Sequence, residues 1–455
     1  MTTISADLYS QAQEAFGKKF AGKLLQPGAA DYEAARKVWN GMIDRKPGLI
    51  AQCSNARDIA LAVSFAAAEG IVLSVKGGGH NVAGNAVCEG GLMIDLSAMK
   101  RIEIDKAGLT AEVEPGVILR EFDAATIAEG LATTGGTVSD TGIAGLTLGG
   151  GLGYLMGRFG IAADNLLGAE IVTAKGEVIW TDESRHPDLF WAIRGGGGNF
   201  GIVSKFKYRL HRFGPNLVAG MLLYPMDQAK PVMQFYREYI RKCPDEMASY
   251  AGFIVLPDGT PVTMILPAWT GAMEEAEKHM APFRSFGQPI ADMIGEMPYV
   301  QLQSILDAAA PTGIRRYWKS GYFPELTDQL IDIVLKYLAT RPSPLSPVLF
   351  FHMRGKAARI DNAATAFANR ADHWDSDIIS QWTDPADDQK NLDWTRSFWH
   401  EIAPMTRGVY VNHLDSDDNP RVAQAYGDNF ARLKAIKQTW DPGNLFRMNN
   451  NILPG

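Results

Sequence analysis

The sequence predicts an α+β fold, and the patterning of apolar residues, the distribution of glycine and the distribution of aromatic residues lead to this prediction. Up to about residue 210, helical segments mix with short β-branched or alternating runs, such as residues 202–210, that are typical of strands. Glycine accounts for 46 of the 455 residues and is concentrated in a few short blocks of this first region. From about residue 215 to 405, glycine thins out and strand segments alternate with helices. This alternation of strands and helices is typical of an antiparallel sheet with helices on one face.

The composition excludes several classes of protein. A hydrophobic content of 46% supports more than one buried core, and the net charge of −7 argues against a nucleic-acid partner. No run of about 18 apolar residues predicts a membrane span, and the first residues lack the pattern of a secretory signal. The three cysteines, Cys53, Cys88 and Cys243, lie far apart without metal-ligand spacing. We therefore expect a cytoplasmic protein with no metal, no nucleic-acid partner and no membrane partner.

The first glycine block, residues 77–79, follows a β-branched run at residues 71–75 and precedes His80. Three consecutive glycines expose backbone N–H groups that can form a nest for a phosphate group. A tight turn beside a buried histidine explains the same residues equally well. The block alone therefore leaves both interpretations open.

A second block, residues 135–153, contains more glycines than separate tight turns would need. Backbone that wraps an extended, phosphate-bearing cofactor explains it better. A third block, residues 196–201, formally matches G-x-G-x-x-G. That motif binds dinucleotides only where it follows a strand and opens a helix. Here a predicted helix precedes the block and a predicted strand follows it, so we reject the dinucleotide-binding interpretation.

Taken together, five segments resemble the FAD-linked oxidases of the vanillyl-alcohol-oxidase superfamily, in the berberine-bridge-enzyme-like branch. The segments are KGGGHNVAGNAV (76–87), TGIAGLTLGGGLGYLMGRFGIAADNLLGAEIVTAKG (141–176), DLFWAIRGGGGNFGIV (188–203), YVNHLD (410–415) and DPGNLFRMNNNI (441–452). The resemblance implies a two-part, PCMH-type FAD-binding domain assembled from both chain ends. A substrate-binding domain of antiparallel sheet covered by helices is inserted between the two parts. The expected division is residues 1–210, 211–405 and 406–455.

The same resemblance implies the flavin site. The family histidine falls on His80, which would bond the 8α-methyl carbon of FAD. Many relatives add a cysteine bond to a second flavin carbon, but the matching position here is Val138, so we expect a single covalent attachment. The residues expected to contact FAD are Lys76, Gly77, Gly78, Gly79, His80, Asn81, Gly84, Asn85, Gly136, Thr137, Val138, Thr141, Gly142, Gly145, Leu146, Gly149, Gly151, Gly153, Gly201, Ile202, Tyr410, Asn412 and Asn449.

Such an enzyme removes a hydride from a carbon that bears a hydroxyl or amine group, while a base takes the heteroatom proton. Relatives commonly carry Tyr-x-Asn-Tyr or Tyr-x-Asn-Phe near the flavin, whereas residues 410–413 of this chain read Tyr-Val-Asn-His. A histidine suits the role of general base because its unperturbed pKa is about 6.5. The alternative is a structural role for His413, in which it fills space or hydrogen-bonds a backbone group. A carboxylate or amide in a central strand is the base in some relatives, and that position here is Phe351, beside His352.

Residues 315–320 form a further candidate lining. A strand there would offer the phenol of Tyr317 and the ammonium of Lys319 on alternate faces. Surface charge around a buried Trp318 explains the same segment equally well. The candidate catalytic residues are therefore His413, Tyr410, Tyr317 and His352.

The expected activity is that of an FAD-dependent oxidase acting on an alcohol, an amine or a sugar-type C–H group. Its partners would be a small-molecule substrate and molecular oxygen, with hydrogen peroxide as the product. Two alternatives remain: a dehydrogenase of the same fold that uses another acceptor, and a flavin- or ligand-binding protein without turnover. The sequence indicates neither the identity of the substrate nor the oligomeric state.

Overall fold

The computed structural model describes residues 4–455, with side chains from residue 8 onward. Its strands, in chain order, are β1 (Lys23–Leu25), β2 (Leu49–Gln52), β3 (Leu73–Lys76), β4 (Leu92–Asp95), β5 (Ile102–Asp105), β6 (Thr110–Val113), β7 (Leu131–Ala132), β8 (Leu166–Val172), β9 (Val178–Thr181), β10 (Ile202–Arg209), β11 (His211–Arg212), β12 (Asn216–Ala219), β13 (Leu222–Pro225), β14 (Met247–Val255), β15 (Pro261–Trp269), β16 (Ala291–Asp292), β17 (Gly295–Pro298), β18 (Arg315–Phe323), β19 (Val348–Met353) and β20 (His373–Trp382). Its helices are α1 (Ile4–Phe16), α2 (Tyr32–Ala35), α3 (Ala56–Glu69), α4 (Leu119–Ala128), α5 (Ile143–Gly149), α6 (Met156–Phe159), α7 (Pro187–Ile193), α8 (Ala229–Ile240), α9 (Ala276–Ser285), α10 (Tyr299–Ser304), α11 (Asp328–Leu338), α12 (Lys356–Arg359), α13 (Asp388–Ile402), α14 (Val422–Tyr426) and α15 (Phe430–Trp440). These elements confirm the predicted α+β fold. The first three residues of the predicted N-terminal domain lie outside the described residues.

Two main sheets form the first region. One has the order β1-β2-β4-β3, with β2, β4 and β3 parallel, and the other is antiparallel with the order β5-β6-β10-β8-β9. Helix α3 packs on the first sheet. The Asn55 side chain caps this helix by accepting the Asp58 N–H, and Gly70 ends it in the left-handed region at φ 63°. Its apolar face, which includes Ile59 and Val63, is fully buried, so the helix fixes the sheet from which the first glycine block emerges.

The first two glycine blocks contact each other directly. Strand β3 ends just before the first block, and Gly79 adopts φ 74°, which lets the chain turn sharply. A Cβ atom at Gly78 would lie 2.4 Å from the backbone nitrogen of Gly142, a separation that no side chain tolerates. Backbone packing therefore requires glycine at both positions, whatever the two blocks bind.

A nine-stranded antiparallel sheet forms the middle of the chain. Its main path is β16-β13-β15-β14-β19-β20-β18, with β12 and β17 paired beside it. Helices α8, α9, α11 and α13 pack on one face, where Trp374 and Ile378 of β20 are buried with Val348 and Phe350 of β19. Because side chains alternate along a strand, the odd-numbered residues of β19 and β20 lie on the opposite face. That face is turned toward the glycine blocks.

Two strand boundaries of this sheet are set by particular residues. Residues 217–224 form two strands, β12 and β13, because the chain is broken at Gly220, where a Cβ atom would lie 2.1 Å from the Met293 carbonyl oxygen. Strand β20 begins at His373 and therefore includes Asp375 and Asp377, which matter for the site.

The C-terminal segment returns to the first region. Lys437 Nζ donates to the Asn199 carbonyl oxygen at 2.7 Å and pairs with Asp441 at 2.6 Å. The Ile452 N–H donates to the Asn199 side chain at 2.9 Å. These contacts join both ends of the chain, as the two-part architecture requires, while the boundaries at residues 210 and 405 remain predictions. Within residues 4–455, no helix combines the length and the apolar composition needed to cross a membrane.

Candidate active site

A large cavity lies between the glycine blocks and the uncovered face of the nine-stranded sheet. Its volume is about 380 Å³, and both regions of the chain contribute to its wall. The predicted flavin and catalytic residues that line it are Gly77, Gly78, Gly79, His80, Asn81, Asn85, Gly136, Thr137, Val138, Thr141, Gly142, Gly145, Leu146, Gly201, Ile202, Tyr410, Asn412, His413 and Asn449. The fold thus brings together predicted site residues that are far apart in the sequence.

On the sheet side of the cavity, His413 lies beside two carboxylates. Its Nδ1 atom is 2.8 Å from Asp377 Oδ1 and 3.3 Å from Asp375 Oδ2. The two aspartates are two residues apart in β20 and share a face, while a short 3-10 turn that ends at His413 carries the imidazole to them. The Ser320 hydroxyl donates to Asp375 at 3.0 Å, and the Trp318 indole N–H donates to Asp377 at 3.2 Å. Neighbours in β18 therefore fix both carboxylates.

These three ionisable groups form one charged unit. Burial alone would lower the pKa of His413, but the carboxylates of Asp377 and Asp375 outweigh burial and raise this pKa to about 10. Burial and the nearby Asp377 carboxylate raise the pKa of Asp375, and the imidazole opposes that rise. At neutral pH His413 is therefore an imidazolium, which cannot accept a proton. The hypothesis that His413 is the general base does not fit this state, and the carboxylates are the groups able to accept a proton.

The same cluster has the residue types of a metal site. One ligand atom from each of Asp375, Asp377 and His413 lies within 4.8 Å of the others. A metal ion binds neutral imidazole, so it would have to displace the proton that the raised pKa of His413 retains. The protonation of the cluster therefore opposes metal binding.

On the glycine-block side of the cavity, His80 is held at its edge and on its face. Its Nε2 atom lies 2.9 Å from Asp140 Oδ1, and its Nδ1 atom lies 3.5 Å from Thr141 Oγ1. Trp39 stacks on the ring with centroids 5.0 Å apart and 20° between the planes. The Arg316 guanidinium lies 3.7 Å from the Trp39 ring centroid and helps to fix that indole. The imidazole therefore has one orientation, with Asp140 beside Nε2.

Aromatic rings form much of the wall around the carboxylates. Trp318 stacks on His413 with centroids 4.6 Å apart, and Tyr250 stacks on Phe351 with centroids 4.2 Å apart. Register pairing places Phe351 of β19 directly opposite Asp375 of β20. The carboxylates thus face the cavity from within a flat, mainly apolar surface.

Tyr410 and Asn412 join this surface to the second glycine block. The phenolic oxygen of Tyr410 accepts the Gly151 N–H and the Asn412 side-chain N–H, both at 2.8 Å. Burial raises the pKa of Tyr410, so the phenol stays neutral. A Cβ atom at Gly149 would lie 2.1 Å from Asn412 Oδ1, and glycine is therefore needed there for Asn412 to pack.

Comparison with known proteins decides the family. A model described as an FAD binding domain matches residues 47–182, and one described as berberine and berberine-like matches residues 409–453. An FAD-linked oxidoreductase of Dictyostelium discoideum is 30% identical over 98% of this chain and 97% of its own. The chain belongs to the berberine-bridge-enzyme-like family. It is an FAD-linked oxidoreductase, as the sequence predicted.

Two further comparisons extend over nearly the whole of this berberine-bridge-enzyme-like chain. (R)-6-hydroxynicotine oxidase of Paenarthrobacter nicotinovorans is 28% identical over 95% of this chain and 97% of its own. The crystal structure of 6-hydroxy-D-nicotine oxidase from Arthrobacter nicotinovorans superposes with a TM-score of 0.88 at 27% identity, and the match covers 96% of this chain and 98% of that one. The two-part FAD-binding fold is therefore confirmed.

The cavity of this berberine-bridge-enzyme-like oxidoreductase suits FAD. Gly145 and Gly198 line it, and a Cβ atom at either position would contact no protein atom within 4 Å, so bare backbone faces open space. Among the described residues, Asn449 is half-buried, and its buried side-chain oxygen has no hydrogen-bond partner and offers an acceptor. The N–H groups of the glycine blocks suit a pyrophosphate, and His80 lies in the same wall.

Some of the predicted flavin residues lie behind the cavity wall. They are Lys76, Gly84, Gly149, Gly151 and Gly153. Burial lowers the pKa of Lys76, and its ammonium donates to the Ala35 carbonyl oxygen at 2.5 Å. A Cβ atom at Gly153 would lie 2.6 Å from the Gly135 carbonyl oxygen. These residues shape the wall through packing.

Two predicted catalytic residues, Tyr317 and His352, require correction. Tyr317 and Lys319 are two residues apart in β18, so they share a face instead of occupying alternate faces, and both bond Asp417 at 2.5 Å. His352 is even-numbered in β19 and lies on the helix-covered face, with Nε2 2.6 Å from Asp372 Oδ1. Strand parity directs both side chains away from the cavity, so neither can touch a substrate there.

Several cavity residues were missed by the sequence reasoning. They are Trp39, Gly197, Gly198, Tyr250, Asp375, Asp377 and Gln381. The D-x-D pattern of residues 375–377 was a usable signal, because it places two carboxylates on one face of any strand. Rejecting the G-x-G-x-x-G motif was correct in context, since α7 precedes it and β10 follows. The sequence analysis assigned Gly201 and Ile202 of this block to the flavin site, and the structure adds Gly197 and Gly198 to the wall.

Proposed function

We propose that this enzyme is an FAD-dependent oxidase with its flavin bonded to His80 alone. It removes a hydride from a carbon that bears an amine or hydroxyl group, and oxygen is the final acceptor, giving hydrogen peroxide. The observation that carries the proposal is the Asp375–Asp377 pair, which faces the glycine-lined cavity. A proton acceptor and a site suited to FAD then share one enclosed space, as oxidation of an amine or alcohol requires.

FAD, when bound, supplies the two-electron acceptor. The chain supplies position and proton transfer. Asp375 accepts the proton of the substrate heteroatom, because its raised pKa brings its basicity nearer to the working pH. His413 stays positively charged beside it and keeps the carboxylate ionised between turnovers. Ser320 and Trp318 hold the two carboxylates in place through the hydrogen bonds that they donate.

Among the possible substrates, the cluster favours a basic amine that carries a flat group. Asp375 and Asp377 place two carboxyl groups beside one imidazole, a set of residues that suits a positively charged group. The surrounding rings of Trp318, Tyr250 and Phe351 suit a flat or cationic group. The relative named (R)-6-hydroxynicotine oxidase is consistent with this assignment. Alcohols and sugars remain the alternative substrates.

The attachment is tested by denaturing the purified protein in acid. Yellow colour that stays with the chain, together with an FAD-derived mass on the peptide that contains His80, is the expected result. Val138 offers no thiol, so a second modified residue is not expected. Flavin that washes away, or a modification on Cys88, would overturn the attachment.

The activity is tested by peroxide release during aerobic incubation with panels of amines, alcohols and sugars. We expect peroxide to form in step with substrate loss, and most strongly with basic amines that carry an aromatic group. Reduction of an artificial dye without peroxide would identify a dehydrogenase instead. A flavin spectrum that no compound bleaches would point to a binding protein without turnover.

A further inference from the structure

Asp140 is the charged residue beside His80, and the family resemblance did not assign it a role. Its Oδ1 atom lies 2.9 Å from His80 Nε2, although the angle is poor for a linear hydrogen bond, so the contact is chiefly electrostatic. Its other oxygen accepts only a long bond, 3.4 Å, from the Thr312 hydroxyl. Burial acts to raise the pKa of Asp140, but His80 and Arg120 lower it overall. Asp140 is therefore a carboxylate at neutral pH, aimed at one nitrogen of His80.

A carboxylate beside one ring nitrogen decides where an imidazole keeps its proton. The N–H is favoured at Nε2, next to Asp140, which leaves the lone pair at Nδ1. The partner of Nδ1 in the structure is the Thr141 hydroxyl at 3.5 Å, which is a weak contact. Trp39 stacks on the ring face and prevents it from rotating away. A fixed ring with a carboxylate at one nitrogen and a weakly engaged lone pair at the other is an activated nucleophile.

We propose that Asp140 is a positioning residue for the covalent attachment of FAD, because it holds the proton on His80 Nε2 and so makes Nδ1 the nitrogen that bonds the 8α-carbon. The inference rests on the proposed attachment to His80. Its alternative is a purely structural contact between residue 140 and the first glycine block.

The attachment balances with oxygen as the oxidant. A C–H bond of the 8α-methyl group and the imidazole N–H are broken, and a C–N bond forms between the 8α-carbon and His80. The two hydrogens and two electrons pass finally to molecular oxygen, which becomes hydrogen peroxide. The carboxylate of Asp140 stabilises the positive charge that the imidazole gains while the new bond forms.

The test compares full-length variants purified in the presence of excess FAD. Total flavin is measured by absorbance, and the covalent share is the fraction that stays with the chain after acid precipitation. For Asp140→Asn we expect total flavin close to that of the wild type, with the covalent share reduced at least about tenfold. Asp140→Glu, which keeps a carboxylate, should restore a large part of the covalent share.

A matched control exists in the same chain. Asp372 lies 2.6 Å from His352 Nε2, outside the cavity, so Asp372→Asn removes an aspartate–histidine contact without touching His80. Its covalent share should equal that of the wild type. Asp140→Asn with a wild-type covalent share would overturn the inference and leave the proposed function intact. A wild-type protein without covalent flavin would overturn the attachment itself.

If Asp140→Asn loses all flavin, the Asp140→Glu variant decides the question. An Asp140→Glu protein that bound FAD fully without any covalent share would show that the carboxylate does not promote the attachment, and the inference would be wrong. Covalent loading in the Glu variant would support it.

Discussion

His413 Nδ1 lies 2.8 Å from Asp377 Oδ1, and this contact joins the C-terminal segment to strand β20 of the nine-stranded sheet. The last position of the family's Tyr-x-Asn-aromatic pattern is a histidine in this chain, and its imidazole carries a proton. The pKa of His413 is raised to about 10, so its imidazole is positively charged over the neutral range. The imidazolium and the neighbouring Asp375 therefore titrate as a unit.

Replacing His413 by glutamine should move the acidic limb of the pH–rate profile to higher pH. The imidazolium opposes the rise in the pKa of Asp375, so its removal raises that pKa further. The carboxylate is then protonated, and inactive as a base, up to a higher pH. We expect kcat/KM measured against pH to show a shift of about 1–3 pH units. An unshifted limb would show that Asp375 is not the titrating group.

Replacing Asp375 by asparagine should remove the proton acceptor without disturbing the fold. Asparagine is nearly isosteric and can still accept the Ser320 hydroxyl bond, which measures 3.0 Å in the structure. Loss of a positioned base lowers kcat by about 10²–10⁴-fold. Flavin content and Tm serve as controls and should stay unchanged. Turnover within about twofold of the wild type would exclude Asp375 as the base.

The two buried tyrosines Tyr317 and Tyr410 provide a matched pair of phenylalanine substitutions. Tyr410→Phe removes the oxygen that accepts the Gly151 and Asn412 N–H groups, and each buried donor left unpaired costs about 1–3 kcal/mol. We expect a lower Tm and weaker retention of flavin in that variant. Tyr317→Phe acts only on the helix-covered face, so steady-state kcat should change less than about twofold. A loss of flavin from Tyr317→Phe as large as that from Tyr410→Phe would contradict the placement of Tyr317 away from the cavity.

Alanine at Gly78 and at Gly145 should have opposite effects on folding. At Gly78 the new Cβ atom would lie 2.4 Å from the Gly142 nitrogen, so the two glycine blocks must separate and Tm must fall. At Gly145 the Cβ atom meets no protein atom, and alanine in helix α5 adds about 0.5–1 kcal/mol of helix stability. Gly145→Ala should therefore remain folded yet retain less flavin, because its methyl group occupies the cavity. Thermal unfolding and flavin-to-protein ratios check both, and full flavin content in Gly145→Ala would contradict the placement of the cofactor.

Asp123 should make the stability of the protein pH-dependent. It is buried where α4 meets α10, and burial raises its pKa to about 7 although the Gln303 amide, which donates to it at 2.8 Å, opposes the rise. In the unfolded chain it ionises from about pH 4, so between these pH values the folded state binds more protons. The stabilisation is complete at low pH and is lost as the pH rises through the folded pKa, by on the order of 4 kcal/mol.

Asp123→Asn removes this titration and keeps a side-chain oxygen for Gln303. The fall in Tm between about pH 5.5 and about pH 8.5 should be smaller in the variant than in the wild type. Differential scanning calorimetry at both pH values measures it. Identical pH dependence in the two proteins would show that Asp123 is ionised in the folded state at the lower pH.

The parts of the site carried by contiguous segments were predictable. Glycines of residues 76–81 and 135–153 pack backbone against backbone, as at Gly78 and Gly142, and many of the cavity-lining residues belong to these same short segments. The first block alone left the role of His80 open, and the resemblance of several such segments to one family supplied it.

The catalytic side could not be predicted in the same way because it depends on pairing between strands. Phe351 and Asp375 are directly opposite each other in β19 and β20, but no local pattern gives the register that pairs them. The sequence comparison assigned the base position to β19, one strand away from the carboxylates. The prediction that Tyr317 and Lys319 lie on alternate faces was also wrong, because residues two apart in a strand point to the same face. The raised pKa of His413 could not be predicted from the sequence either, because it is caused by Asp375 and Asp377, which are distant in the sequence.

The loop that follows His413 has a second consequence, for association of the protein with other chains. Strand β18 is the last of its sheet, and an exposed last strand is a template on which a foreign strand can add. Here several of its outward backbone groups have partners: both groups of Arg316 pair with the Asn40 side chain, the Trp318 N–H with Asp415, the Ser320 carbonyl with Arg421, and both groups of Tyr322 with the backbone of Arg407 and Gly408. Residues 407–421, which include His413, therefore cover much of this strand edge and protect it from pairing with another chain. Damage to this segment would endanger solubility together with turnover.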